Sequence, residues 1–320
     1  MRISTSETYQ STVYSVQNLQ SSLSQIQSKL ASGQKYLTPS ENPSAAVSLI
    51  NFTQNIQVTQ QYQTNIGAAN ESLQLEDSSL NSAISTLQSV QALATQSLNG
   101  INNTQNLQQI ATQVDQLNKQ LMNIANTQDA NGNYIFSGTA TSTIPYTSTA
   151  NPNASSTDPA STLPLGFNYQ GNTSQTSLTI GPENRQVTNG DPGSNVFGAI
   201  IPAPGPLTPG SITNVFQAVS QLATDLNSGT PNTASLTDIS NALTQMETTQ
   251  ASVGARLQAT ASQQTINAQT ILDNQTTSSS IGDLDYASAI SQLDLQQTAL
   301  QAAEQAFGKV QGLSLFQYIQ

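Results

Sequence analysis

The side chains in this sequence that could carry out chemistry are its carboxylates. Histidine and cysteine are both absent, which removes imidazole acid–base catalysis, thiol nucleophiles, disulfides and the common zinc and haem ligand sets. Two close carboxylate sets remain, Glu76 with Asp77 and Asp283 with Asp285, and a glycosidase would use such a pair as acid and base. Neither set carries that reading well. Asp283 and Asp285 stand just before a helical pattern, where carboxylates cap the helix and complement its dipole. Glu76 and Asp77 are adjacent residues of what reads as a polar helical face. The glycine-rich stretch "GPENRQVTNGDPGSN" lacks the spacing and the Lys-Ser/Thr of a phosphate loop and reads as a series of turns. The sequence points away from an enzyme, and neither a cofactor nor a metal is expected.

Polarity in this chain comes from amides and hydroxyls rather than from charge. Charged residues make up 8% of the 320, and seven basic against eighteen acidic groups give a net charge of −11. No Lys or Arg occurs between Lys35 and Lys119, so nucleic acid is not an expected partner, because neutralising phosphates takes clustered cations. An anionic membrane surface is disfavoured for the same reason. The amino-terminal "MRISTSETYQ" has no apolar core of a signal peptide, and no apolar run reaches the eighteen residues of a membrane span. If the protein leaves the cell, the expected route is one without a cleaved Sec signal. An apolar content of 36% is thin for a single globule of this length and favours an extended, layered shape.

The elements follow from periodicity. Val16, Leu19, Leu23, Ile26 and Leu30 recur at spacings of three and four and continue through Gly33 to Leu37, the pattern of a coiled-coil seam. "LTPSENPSAAV" interrupts it. Thr38 with Glu41 could form a capping box there, but Asn42 as N-cap with Pro43 in the first helical position avoids a proline inside the helix and is preferred. Phe52, Thr59, Ile66, Leu73, Leu80, Leu87, Ala94 and Ile101 then repeat every seven residues, which predicts a rod ending at "LNGIN". A further seam at Leu107, Ile110, Val114, Leu117, Leu121 and Ile124 is expected to pack antiparallel on that rod across the short loop.

The period changes at 129–146. Asn131-Gly132 supplies turn chemistry, and Tyr134, Ile135 and Phe136 favour a strand. Residues 139–210 are rich in Gly, Pro, Ser and Thr, with short strand candidates "GFNYQ" and "TSLTI" and scattered aromatics Tyr146, Phe167, Tyr169 and Phe197. "IPAPGPLTPG" at 201–210 reads as a semi-rigid strap. Helical patterning returns with Ile212, Val215, Val219, Leu222 and Leu226, and again with Leu236, Ile239, Leu243, Met246, Val253 and Leu257. A last seam, Ala289, Leu293, Leu300, Ala303, Phe307 and Val310, begins just after "SIGDLDYA" and leads to an apolar end carrying Leu315 and Phe316. The fold class expected is mainly α with a β-rich insertion, its two chain ends forming a long antiparallel coiled coil or bundle.

Three stretches, "LASGQKYLTPSENPSAA", "NGNYIFSG" and "DLDYASAISQLDLQQTALQAAEQAFGKVQGLSLFQYI", resemble the hook-filament junction proteins of bacterial flagella, the FlgL-type hook-associated proteins of the flagellin superfamily. The resemblance covers the two ends of the chain and leaves the centre without a counterpart. It implies a structural adaptor joining hook to filament, with subunits stacked in a ring or tube outside the cell. It implies flagellin and a second, hook-side hook-associated protein as neighbours, type III export, and a cytoplasmic export chaperone on the C-terminal helix.

Read together with the periodicity, this gives a terminal assembly domain at 1–40 with 285–320, a helical rod domain at 41–138 with 211–284, and an outward β-rich domain at 139–210. The assembly seam expected comprises Val16, Leu19, Leu23, Ile26 and Leu30 with Leu293, Leu300, Ala303, Phe307, Val310, Leu315 and Phe316. Left uncovered, each such side chain forgoes about 1.5 to 3 kcal/mol, which explains an apolar chain end only if neighbouring subunits bury it. Gly308 and Gly312 are expected to mark a weak point in this last helix or a close approach of another chain. A flagellin-like filament subunit shares the same terminal logic. A surface adhesin using the central β domain would need a clustered aromatic or acidic site within 139–210.

Overall fold

A computed structural model describes residues 2–100, 102–149, 166–198 and 212–316, without the side chains of residues 2–6, 8, 149 and 310–316. Among these residues the fold is mainly helical, with four short strands. The chain divides into two compact units, a terminal one of Met1–Gln60 with Gln269–Gln320 and a central one of Gln61–Ala268.

In the terminal unit, α1 (Arg2–Ser32) lies against α7 (Tyr286–Phe316). The seam of α1 stops short of Leu37 because Gly33 takes φ +71 and its N–H donates to the Lys29 carbonyl at 2.8 Å, a glycine cap that closes the helix. The next helix, α2 (Pro43–Ser97), starts as the sequence predicts: Asn42 Oδ1 accepts from Ala45 N at 3.0 Å and Pro43 fills the first turn. The carboxylate of Asp285 likewise caps α7, accepting from the amides of Ala287 and Ser288 at 3.0 and 3.3 Å. α7 stays helical through Gly308 and Gly312. Among the described residues, no atom other than the backbone of its own helix turn and its chain neighbours lies within 4 Å of where a Gly308 Cβ would stand.

In the central unit one apolar core runs through α2, α3 (Thr104–Ala125), α5 (Val215–Asn227) and the first half of α6 (Thr233–Gly282). The heptad residues Ile66, Leu73, Leu80, Leu87 and Ala94 are all buried in it; Ile101 lies outside the described residues. α2 and α3 share this core, but the close partner of α3 is α5 rather than α2. Asn118 of α3 donates to the Phe216 carbonyl of α5 at 3.1 Å, a tie between residues 98 apart in sequence.

The β-rich part consists of two antiparallel pairs. β1 (Tyr146–Thr149) pairs with β2 (Gly166–Tyr169) in the register Tyr146 to Tyr169, and β3 (Ser177–Gly181) pairs with β4 (Arg185–Thr188). Glu183 and Asn184, at φ 57 and 58, make the tight turn of the second hairpin. A short helix α4 (Gly193–Val196) follows. The strand expected at Tyr134–Phe136 is absent. Tyr134 makes only an isolated bridge to Gln128, and Phe136 turns into the core, where its ring meets Phe197 edge-on at 5.1 Å. Gly138 follows at φ +68, and a Cβ there would collide with the backbone and side-chain oxygens of Asn172, so the chain turns where a strand would have to continue. The proline-rich segment 201–210 lies outside the described residues.

Candidate functional site

The functional surface expected from the sequence lies on the terminal helices. α1 and α7 turn their seams toward one another, with the rings of Tyr9 and Phe307 at 5.3 Å. Of the expected residues, Val16, Leu19, Leu23, Ile26, Leu30, Leu293, Leu300, Ala303 and Phe307 are half-buried. The side chains of Val310, Leu315 and Phe316 lie outside the described residues. The open ends of both helices meet in a small backbone bridge. Lys35 N donates to Gly282 O at 2.8 Å and Leu284 N to Gly33 O at 2.9 Å, around the Gln34 and Asp283 pair. Nearby, Lys29 Nζ reaches Glu41 Oε2 at 2.8 Å, and this contact holds the Glu41 carboxyl below its ordinary range.

What sets this unit apart is how little it buries. Among the described residues, its only enclosed apolar side chains are Ala45 and Ala289. Val47, Ile50, Leu272, Tyr286 and Ile290 are at least half exposed, and Leu295 is 70% exposed. The central unit encloses Leu73, Leu80, Leu87, Leu121, Phe136, Phe216 and others. Sequence patterning identified the seam but did not single out Val47, Ile50 and Leu272. They fall off the seven-residue repeat, where apolar residues on a long helix otherwise read as incidental.

The carboxylates resolve differently from one another. Asp285 is a helix cap, as expected. Glu76 is not on a polar face: it is 2% exposed. It occupies the second apolar register of α2, the line of Ala69, Glu76, Ala83 and Val90, and that spacing was the signal that could have shown its burial. Its Oε1 accepts from Asp191 N at 3.1 Å, and burial, together with the neighbouring Asp191 charge, raises its carboxyl to about 8. Asp77, one residue on, accepts instead from Gln250 at 3.2 Å. No group of three or more acidic residues suited to a metal ion occurs among the described residues.

The aromatics of the centre are not scattered. Tyr146, Phe167, Tyr169 and Phe197 join Phe136 and Phe216 in one cluster, with Tyr146 to Phe216 at 4.7 Å and Phe197 stacked on Phe216 at 5.6 Å. Tyr146 donates to Gly193 O at 2.8 Å and Tyr169 to Phe136 O at 2.9 Å. These rings are packed as core, so the cluster does not present the open aromatic face an adhesive site would need.

The terminal unit pairs α1 with α7 and leaves apolar side chains open, and the central unit holds a helical core with a small β-rich insertion. The chain matches the bacterial flagellin N-terminal helical region over residues 3–141. It is similar to flagellar hook-associated protein 3 of Escherichia coli K12, being 28% identical to it over 331 aligned residues covering 99% of both chains. In fold it is similar to FlgL of Xanthomonas campestris, with a TM-score of 0.59 at 17% identity over 71% of this chain and 99% of that one. The flagellar junction protein FlgL of Legionella pneumophila gives a TM-score of 0.52 at 19% identity, over 66% of this chain and 98% of that one. The resemblance to hook-filament junction proteins thus holds in sequence along the chain and in fold.

Proposed function

We propose that this protein is a structural, non-catalytic adaptor of the bacterial flagellum, exported and assembled outside the cell where hook meets filament. In this reading residues 1–40 and 285–320 are the assembly domain, the remaining helices its support, and 139–210 the outward β-rich part. Copies associate in a ring or tube through coiled-coil packing of α1 and α7 with their neighbours. A second hook-associated protein lies on the hook side and flagellin on the filament side, and before export a chaperone holds the C-terminal helix. The observation that carries this reading is the near-absence of enclosed apolar side chains in the terminal unit. A helix pair of this kind gains its missing burial only from other chains.

The test is a pair of substitutions on the seam, Leu300→Asp and Phe307→Asp. Each puts a carboxylate on a surface where Lys309 is the only cation in the last sixty residues, and an unpaired buried charge costs several kcal/mol, on the order of the seam's own stability. Cells carrying either variant should keep hooks, lose filaments and leak flagellin into the medium, while the variant itself is recovered outside the cell. Normal filaments on the hooks of cells that export the variant would refute the assignment of this seam.

A further inference from the structure

The central unit encloses an ionisable cluster that the assembly role leaves unused. Glu76 of α2 accepts from the backbone N–H of Asp191 through Oε1, while its Oε2 is enclosed without a donor. Asp191 lies in the loop between β4 and α4. Its carboxylate is paired with the Arg256 guanidinium of α6 and also accepts from Gln175 at 2.7 Å. Arg256 further donates to the Thr188 carbonyl at 3.3 Å. The charged groups facing Glu76 are therefore Asp191 from the loop and Arg256 from α6; Asp77, beside it on α2, is engaged by Gln250.

Two carboxyls share one guanidinium, and Asp191 takes it. An ionised Glu76 would be a second negative charge out of reach of water, next to the first. As a neutral acid it keeps its carbonyl acceptor for the Asp191 amide and loses the repulsion. The same loop is fastened on its other side. Gly193 N donates to Phe136 O at 2.7 Å, and Gly193 O accepts from Tyr146, so the loop joins the helices to the aromatic cluster.

We propose that Glu76 is a proton-operated latch: as a neutral carboxylic acid it fastens the 189–193 loop to α2 and α6, and loss of that proton releases the loop. The sign follows from linkage. The folded chain keeps a proton that the unfolded chain gives up, so stability falls as pH rises from the ordinary glutamate range toward about 8 and is level beyond. Acidification fastens the loop and alkalinity loosens it.

Amide exchange across 185–198 in the full chain, compared between the natural protein and Glu76→Gln at equal pH, tests this without interference from the intrinsic pH dependence of exchange. Glutamine mimics the neutral acid. The two proteins should exchange alike near pH 6, and the natural one about tenfold faster or more near pH 9.5, if the latch opens on ionisation. Equal exchange at both pH values overturns the proposal. Should the glutamine variant fail to fold, a carbon-13 titration of the natural protein labelled at glutamate carboxyls decides the same question. One resonance titrating on the alkaline side of neutrality supports the latch, and all of them titrating in the acid range overturns it.

Discussion

Gly33 closes α1 with a backbone conformation that L side chains rarely adopt, and Tyr286 occupies the space its Cβ would need, 2.9 Å from the phenol oxygen. Two penalties therefore meet at one atom. Gly33→Ala is expected to lower stability of the α1 and α7 pairing by about 1 to 2 kcal/mol, from left-handed backbone strain plus the displaced tyrosine. Adding Tyr286→Phe should restore the steric part and leave the backbone part, a difference read from the helical melt of the double variant against the singles. Full recovery in the double variant would show that the backbone conformation costs nothing there. At this scale the sequence was legible where a residue acts on its own neighbours: Asn42 and Asp285 cap as their positions suggest. It was not legible where a partner arrives from far along the chain. Glu76 meets Asp191 and Arg256 only because folding brings a loop and a distant helix to it, and adjacency to Asp77 made it look like a surface residue.

Between elements, the terminal seams announced their pairing because both repeat with the same period and the helices run antiparallel between ends of one chain. Tyr9 and Phe307 fix the register of that pair. Since the natural chain contains no cysteine, Tyr9→Cys combined with Phe307→Cys gives a clean test. A short bis-maleimide added to dilute protein should link the two thiols within one chain, seen as a faster band on a denaturing gel, since the rings they replace meet at 5.3 Å. A ladder of cross-linked multimers without the intrachain band would mean that α1 prefers another copy's α7. The strand expected at Tyr134–Phe136 failed for a reason local propensity cannot express. β-branched and aromatic residues report a fit to a half-buried sheet, yet here Phe136 is claimed by the aromatic cluster and Gly138 forces a turn. The pairing of α3 with α5 was equally invisible, since the groups that join them are 98 residues apart and the three-four apolar spacing they share also recurs on α1, so it names no partner.

For the molecule as a whole, the two units differ in what holds them together. The central unit has a continuous core, whereas the terminal one relies on half-buried seams and a two-bond backbone bridge. Ordering its helices costs about 1 to 2 kcal/mol per residue in backbone entropy, against few enclosed side chains in return. Limited digestion of dilute protein with a nonspecific protease should therefore trim the terminal unit first and leave a resistant fragment close to residues 61–268, identified by its mass. Equal resistance of both units would mean that the terminal helices are stable without neighbours. The low apolar content hinted that one core could not serve the entire chain, but not which part would go without.

The aromatic cluster also makes the molecule its own reporter. The chain has no tryptophan, so tyrosine and phenylalanine alone give it optical activity in the near ultraviolet. Tyr146 is enclosed and, like Tyr169, hydrogen-bonded and set among asymmetric ring contacts, while Tyr14 and Tyr286 are 65% and 52% exposed. A side chain turning freely in water averages its circular dichroism away. The near-ultraviolet spectrum is thus dominated by the central unit, with a smaller part from Tyr9 against Phe307, and the backbone spectrum below it is a signal of both units. Heating one sample and following the two wavelengths separates the loss of one unit from the loss of the other, with no label attached to the protein.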